Sequence, residues 1–260
     1  MASLRAGWKI QRRVIGALAI RELTTRFGRE NIGFLWMMVE PLTFAAFVSI
    51  IWRFMRGPEE HGVSIVSFVV SGYIPLVLFR SSVSRSVGLF AANASLMYHR
   101  QIKIVDFVFV RFMVELIGHM MAYVAIVSVL IPLDLFPVPY NIGYILLGWM
   151  VYGLFTLSVC LVIAPLAEMS EVVEKMIGVV VYIMIPFSGS FSMVSWVSPT
   201  VQNVLLSSPP VNAMEMMRFG IYGYDVDAHF GFGVPLGVSM VLMAIGLTMC
   251  RRVRRTMVVE

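Results

Sequence analysis

Arg111, Glu115 and His119 recur every four residues inside an apolar run. On a helix that spacing puts all three on one face. Such a row can satisfy itself as a static network, or it can relay protons for a secondary transporter through His119. A relay also needs an acid deep in another helix, and none stands out as the partner of His119. Arg80 and Arg85 form a second constellation, about one and a half turns apart at the end of another apolar run. They could draw in a polyanion or a phospholipid anchor, snorkel to headgroups, or pair with Glu40 or Glu115. Covalent chemistry has no candidate. His61, His99, His119 and His229 are scattered without metal-ligand spacing. No glycine-rich loop ending in Gly-Lys-Ser or Gly-Lys-Thr is present to hold ATP. No metal or cofactor is therefore expected on this chain.

The elements that position these groups belong to a membrane protein. The chain has 260 residues, of which 59% are hydrophobic and only 13% charged. Soluble domains run near 45–50% and about 25%. The net charge of +5 is read as cations gathered on the cytoplasmic face against anionic lipid, not as a nucleic-acid site. Cys160 and Cys250 sit in apolar runs, so no disulfide framework is indicated. No cleavable signal peptide is evident, and the first span is the expected targeting signal. One all-α membrane domain over 1–260 is expected.

Read in order, residues 5–28 form an amphipathic interface helix rich in arginine. Six transmembrane helices follow at about 32–54, 62–90, 107–130, 142–166, 176–187 and 233–250. Pro41 should kink the first, and Gly72 and Pro75 should bend the second. Residues 93–106 form a polar, basic loop one short helix long. Glu168, Glu171, Glu174 and Lys175 are expected to make a charged turn. Residues 188–224 are apolar yet broken by Pro, Gly and Ser. Such backbone survives at membrane depth only where protein or water satisfies it, so short re-entrant or gate helices are expected there. Fifteen of the 20 Lys and Arg lie in the N-terminal segment, the 93–106 loop with Arg85, the 168–175 turn and the C-terminal tail. Both termini are thus expected in the cytoplasm.

Trp36, Phe44, Phe47, Trp52, Tyr73 and Phe79, with Arg80 and Arg85, are the candidates for lining a passage between the spans. Each aromatic could instead face lipid or pack against a neighbouring span.

The junction Arg21-Glu22-Leu23-Thr24-Thr25-Arg26-Phe27-Gly28, with Gly33, Leu35-Trp36 and Glu40-Pro41 after it, resembles the start of the membrane subunit of ABC type-2 exporters. It resembles in particular the subgroup that exports capsular polysaccharide. The resemblance extends to the asparagine-led loop (Asn93, Leu96) and to the broken segment before the last span. One position departs: that loop usually carries a proline near Ile104, and this one does not. The resemblance implies a homodimer in the bacterial inner membrane, each copy paired with a separate ATPase subunit that holds ATP and Mg. Residues 93–106 would be the coupling helix, with Asn93, Leu96, Tyr98, His99, Arg100 and Lys103 facing the ATPase. Pro186, Gly189, Phe191 and Trp196 would belong to a periplasmic gate. A periplasmic co-polymerase and an outer-membrane export protein would be further partners, and a lipid-linked acidic polysaccharide the cargo. Exporters of O-antigen or teichoic acid, a proton-coupled transporter and a membrane scaffold are the competing readings.

Overall fold

Long apolar runs with few breakers leave the backbone one way to satisfy itself away from water, which is the helix. The computed structural model describes residues 4–27, 33–57, 59–97 and 101–257. Helix α1 covers Leu4–Phe27 and α2 Gly33–Arg56. A two-residue hairpin, β1 Glu59–Glu60 and β2 Val63–Ser64, leads into α3, Ile65–Ser86. A single turn, α4, spans Ala94–Met97, and α5 runs Ile104–Leu130. Then come α6 Ile142–Met169, α7 Glu171–Ile183, α8 Pro199–Leu206, α9 Pro209–Tyr222 and α10 Gly233–Met257.

Local chemistry explains several boundaries. The Asn141 side chain accepts the N–H groups of Gly143 and Tyr144 at 2.9 and 3.4 Å and so starts α6. Asp106 accepts the Lys103 N–H at 2.9 Å and starts α5. Ser208 precedes Pro209 and Pro210, whose missing N–H groups cost nothing in a first helical turn. The hairpin turns on His61 and Gly62, with φ of 52° and 78°. Two successive positive φ values match the twist of a two-residue hairpin.

The core gathers α3, α5, α6 and α9 side chains, among them Phe68, Ile74, Leu78, Phe107, Tyr152 and Met214. α10 packs along α6, and α6 along α9. Backbone bonds from Tyr140 N to Ile221 O and from Asn141 N to Gly220 O, 3.1 and 2.8 Å, lock the start of α6 to the end of α9. Outward lie Phe47, Phe54, Ile117, Met150, Val172 and Met240, an apolar exterior suited to lipid or to another chain.

Among the described residues four helices are long and apolar enough to cross a bilayer: α3, α5, α6 and α10. Within α2 a shorter apolar stretch, Leu42–Met55, meets the composition test. The expected fifth span, 176–187, is in fact the latter part of α7, a helix of 13 residues that begins at Glu171 and stops at Ile183. That is about 20 Å, short of the hydrocarbon thickness of about 30 Å. The expected charged turn at 168–175 is helical on both sides of Ser170, with Glu168 ending α6 and Glu171, Glu174 and Lys175 opening α7. Carboxylates suit the first turn of a helix, where the backbone N–H groups are unpaired. The kink expected at Pro41 concerns a side chain outside the described set.

The α6–α10 contact depends on Gly246. A Cβ there would stand 2.7 Å from the Leu161 carbonyl carbon. Gly246→Val should lower stability in detergent by about 1–3 kcal/mol, read as a drop in the thermal unfolding midpoint; an unchanged midpoint would contradict this packing.

Candidate functional site

Two polar constellations sit at opposite ends of the bundle. At the α1 end, α1 lies against the start of α5. Leu18 is buried there, while Trp8 and Ile20 remain exposed. Three side-chain bonds hold the helix: Gln11 Nε2 donates to Asp106 Oδ1, Arg21 Nη1 donates to Asn93 Oδ1 at 2.7 Å, and Arg111 Nε donates to Glu22 Oε1 at 2.9 Å. Between α1 and the end of α4 with residues 101–102 lies an open groove of about 520 Å³, lined by Val14, Leu18, Arg21, Leu96, Gln101 and Ile102.

Deeper in, Glu115 is 1% exposed and accepts from Ser81 Oγ at 3.2 Å. Arg85 Nε stands 3.2 Å from its other oxygen, and His119 Nδ1 lies 3.6 Å from the carboxylate and 2.9 Å from the Glu115 carbonyl. Arg111 does not join this group, although the spacing of four suggested it would. It bridges instead to Glu22 and to the Arg85 carbonyl, at 2.9 and 2.8 Å. The acid partner of Arg111 is 89 residues away, so no local period could reveal it.

At the hairpin end, α9 carries Glu215 and Arg218, both essentially inaccessible. Arg218 Nη1 and Nη2 donate to the carbonyls of Ser192 and Ser190, each at 2.9 Å. Its Cζ lies 4.1 Å from the Phe68 ring centroid. Glu215 accepts the Val194 N–H at 3.3 Å and the His229 N–H at 3.1 Å, and its Oε1 is 3.8 Å from Arg218 Nη1. With 14 residues, α9 is too short to span. Burial pulls the Arg218 guanidinium down to about 10 while Glu215 opposes the fall, so it stays charged at neutral pH. Burial pushes the Glu215 carboxyl up, with Arg218 and the two N–H donors working against the rise.

The expected gate residues assemble around this pair. Pro186 opens a 3-10 turn ending at Ser188, and Gly189 follows with φ of 73°. Phe191 packs on Trp52, ring centroids 6.0 Å apart. Trp196 lies between His61 and Phe68, at 4.9 and 4.6 Å. Serines meet part of the broken backbone's demand: Ser188 Oγ donates to Ile185 O at 2.6 Å and Ser208 Oγ to Phe187 O at 2.7 Å. Glu215 and Arg218 lie within the stretch 188–224 but were not singled out as candidate site residues. Their spacing of three on one helix was the signal available.

The expected tunnel residues divide. Phe44 is exposed and stacks on buried Tyr73 at 4.1 Å. Phe47 is exposed, Trp52 half-buried. Phe79 is buried against Phe155, 5.9 Å between ring centroids. Tyr73 and Phe79 thus occupy packed positions within the chain, because α3 is the most enclosed of the long helices. Arg80 is half-buried, and Arg85 is the partner of Glu115. The side chain of Trp36 lies outside the described residues. Of the expected ATPase-facing residues, Asn93 is buried, its amide spent on Arg21 and on Leu89 O at 2.8 Å. Leu96 lines the groove and Lys103 is exposed. Tyr98, His99 and Arg100 lie outside the described residues. Residues 93–106 do not form one helix: α4 has four residues, and α5 begins at Ile104.

Among the described residues no group of three or more metal-ligating side chains comes together. Fold and polar networks together define a helical, multi-pass membrane protein. No protein-family model matches the chain. It is 38% identical over 240 residues, 92% of this chain and 91% of the relative, to the capsule polysaccharide export inner-membrane protein CtrC of Neisseria meningitidis serogroup B. It is 32% identical over 242 residues, 93% and 91% of the two chains, to the capsule polysaccharide export inner-membrane protein BexB of Haemophilus influenzae. The polysialic acid transport protein KpsM of Escherichia coli is 22% identical over 247 residues, 95% and 96% of the two chains. This chain belongs to the family of capsule polysaccharide export inner-membrane proteins.

The Glu22–Arg111 bond anchors α1 to the bundle. Glu22→Ala should speed tryptic cleavage at Arg12 and Arg13 severalfold in purified protein while leaving the helical content unchanged; equal cleavage rates would show that α1 is held otherwise.

Proposed function

We propose that this chain is the transmembrane subunit of an ATP-driven exporter that carries lipid-linked capsular polysaccharide across the inner membrane. The observation that carries the reading is 38% identity over 92% of the chain to a capsule polysaccharide export protein. Two copies would surround the passage. In each, α2 would cross the membrane as the first span, and α7 with the broken segment after it would together make the fifth, giving six spans with both termini in the cytoplasm.

The passage would be lined by the exposed aromatic face of α2, with Phe44 and Phe47, and with Trp36 further along the same helix. Rings of that kind offer a sugar chain apolar contact with few directional bonds, so the polymer can advance without stalling. Arg80 would lie where an acidic polymer or its anchor enters. Glu115 and His119, the pair that a proton relay would use, are instead tied to Arg85, Ser81 and a backbone carbonyl, which favours a static network and an ATP-driven reading.

ATP and Mg would be held by a separate ATPase subunit. The groove between α1 and Leu96, Gln101 and Ile102 would receive it, with Lys103 next in the chain. The network Gln11–Asp106, Arg21–Asn93 and Glu22–Arg111 makes α1, the loop and α5 one mechanical unit, so a push on the groove would reach α5 and α3. A periplasmic co-polymerase and an outer-membrane export protein would complete the path.

The purified chain should hydrolyse no ATP alone and gain hydrolysis with its ATPase subunit; turnover by this chain alone would overturn the proposal. Deleting Met97–Lys103 should abolish co-purification of the ATPase, and retained co-purification would refute the docking assignment. Arg80→Gln should slow export of an acidic polymer severalfold with unchanged membrane assembly, measured as surface polymer per cell; an unchanged rate would remove Arg80 from the path.

A further inference from the structure

We propose that six aromatic rings at the hairpin end, Tyr140, Tyr144, Phe219, Tyr224, Phe230 and Phe232, form a platform by which this end of the bundle meets the headgroup zone of a zwitterionic phospholipid leaflet. The proposal stands apart from the exporter reading, because it needs a bilayer and no passage.

The rings come from three parts of the chain and form one connected cluster. Phe219 on α9 is its hub, with ring centroids 6.2 Å from Tyr140, 5.0 Å from Tyr144, 5.6 Å from Tyr224 and 5.9 Å from Phe230. Phe232 joins through Phe230 at 6.4 Å. Most of these pairs meet edge to face, as ring quadrupoles favour. The cluster is also set in advance. The two backbone bonds between the start of α6 and the end of α9 hold Tyr140 in place. Gly223, at φ of 63°, makes room for its ring, since a Cβ there would stand 2.7 Å from Tyr140 Cγ. A platform already ordered loses little freedom when it meets its partner.

Helix lengths say where the cluster lies relative to a bilayer. Tyr140 and Tyr144 flank the start of α6, and Phe230 and Phe232 immediately precede α10. Both helices are long and apolar enough to cross. From Gly233, α10 carries no charged residue until Arg251, which is about 27 Å. From Ile142, α6 carries none until Glu168, about 39 Å. The shorter length matches the hydrocarbon core, about 30 Å, and the longer approaches a bilayer with its headgroup zones, about 40–45 Å. The ring cluster joins the starts of these two helices, so it falls in the zone by which the two lengths differ.

Exposure and charge identify the partner. Tyr224 is 83% exposed, Tyr140 58% and Phe232 43%. Phe219, Tyr144 and Phe230 are half-buried and support them. Further along the same two helices the exterior is apolar, with Met150 on α6 and Met240, Val241 and Ile245 on α10. In the connection from α9 to α10, Asp225 and Asp227 are exposed beside the rings. A tyrosine, apolar in its body and polar at its tip, suits a boundary between such surroundings. The two carboxylates repel an acidic polymer and attract the ammonium groups of zwitterionic headgroups.

The test is spin-label accessibility in the full chain, reconstituted into liposomes of phosphatidylcholine and phosphatidylethanolamine. Nitroxides are placed singly through Tyr224→Cys, Asp227→Cys and Met240→Cys. Cys160 and Cys250 are buried, and the chain without an added cysteine is the blank. The label at 224 should show nickel-complex access about threefold below that at 227 and oxygen access about threefold below that at 240. Phe232→Cys gives the same reading and decides the matter if Tyr224→Cys fails to fold. Nickel access at 224 equal to that at 227 puts the rings in water and overturns the proposal. Oxygen access equal to that at 240 puts them in hydrocarbon and overturns it too. Protection at 224 that arises only when a soluble polysaccharide or a second membrane protein is added assigns the rings to that occupant, and the lipid assignment falls.

Discussion

Backbone carbonyls inside an apolar bundle need donors, and this constraint governs the hairpin end of the protein. Leaving one carbonyl unsatisfied in hydrocarbon costs several kcal/mol. Helices meet the demand internally, but residues 186–197 contain no α-helix, only two short 3-10 turns. Serine hydroxyls serve part of the segment. The deepest carbonyls are served by a single arginine placed on α9. The position of α9 is in turn held by its lock to the start of α6 and by its packing along that helix. Segment 186–197 is thus built on the side of α9 that faces the core, and its geometry follows from where that arginine sits.

The opposite end solves a different problem. A basic helix could lie on the bilayer without touching the rest of the chain. Here α1 is joined to α5 and to the turn before α4 by bonds of mixed type, amide to carboxylate, guanidinium to amide and guanidinium to carboxylate. Arg111 carries the connection inward, because it also holds the Arg85 carbonyl at the end of α3. Arg85 then meets Glu115. A chain of polar contacts runs from α1 to the middle of α5, so this basic helix is held by the bundle and not by the membrane surface alone.

Much of this was legible from residue order. Membrane class and the irregularity before the last helix follow from composition and the placement of Pro, Gly and Ser, whereas six crossing helices were expected and four among the described residues are long and apolar enough. Relatives among capsule polysaccharide export proteins agree with the family that the Arg21–Pro41 junction resembles. The row Arg111, Glu115, His119 was visible but misleading, since a helical period predicts which residues share a face and not which distant groups they meet. The hairpin at His61-Gly62 was missed because two-residue strands carry too little pattern. Tyr73 and Phe79 were singled out for their ring chemistry, yet burial is a property of neighbours, and α3 has neighbours on nearly every side.

The amino-acid order alone determined that the chain lives in a membrane, where its polar interruptions fall and which stretch could not be a plain helix. Hydrophobicity and backbone demand are summed locally, so a linear reading captures them. Tertiary structure decided the pairings: Arg218 with carbonyls 26 and 28 residues away, Arg111 with Glu22 89 residues away, and Arg85 with Glu115. Those choices depend on which helices come to lie side by side, because only that brings groups so far apart in the chain within bonding distance.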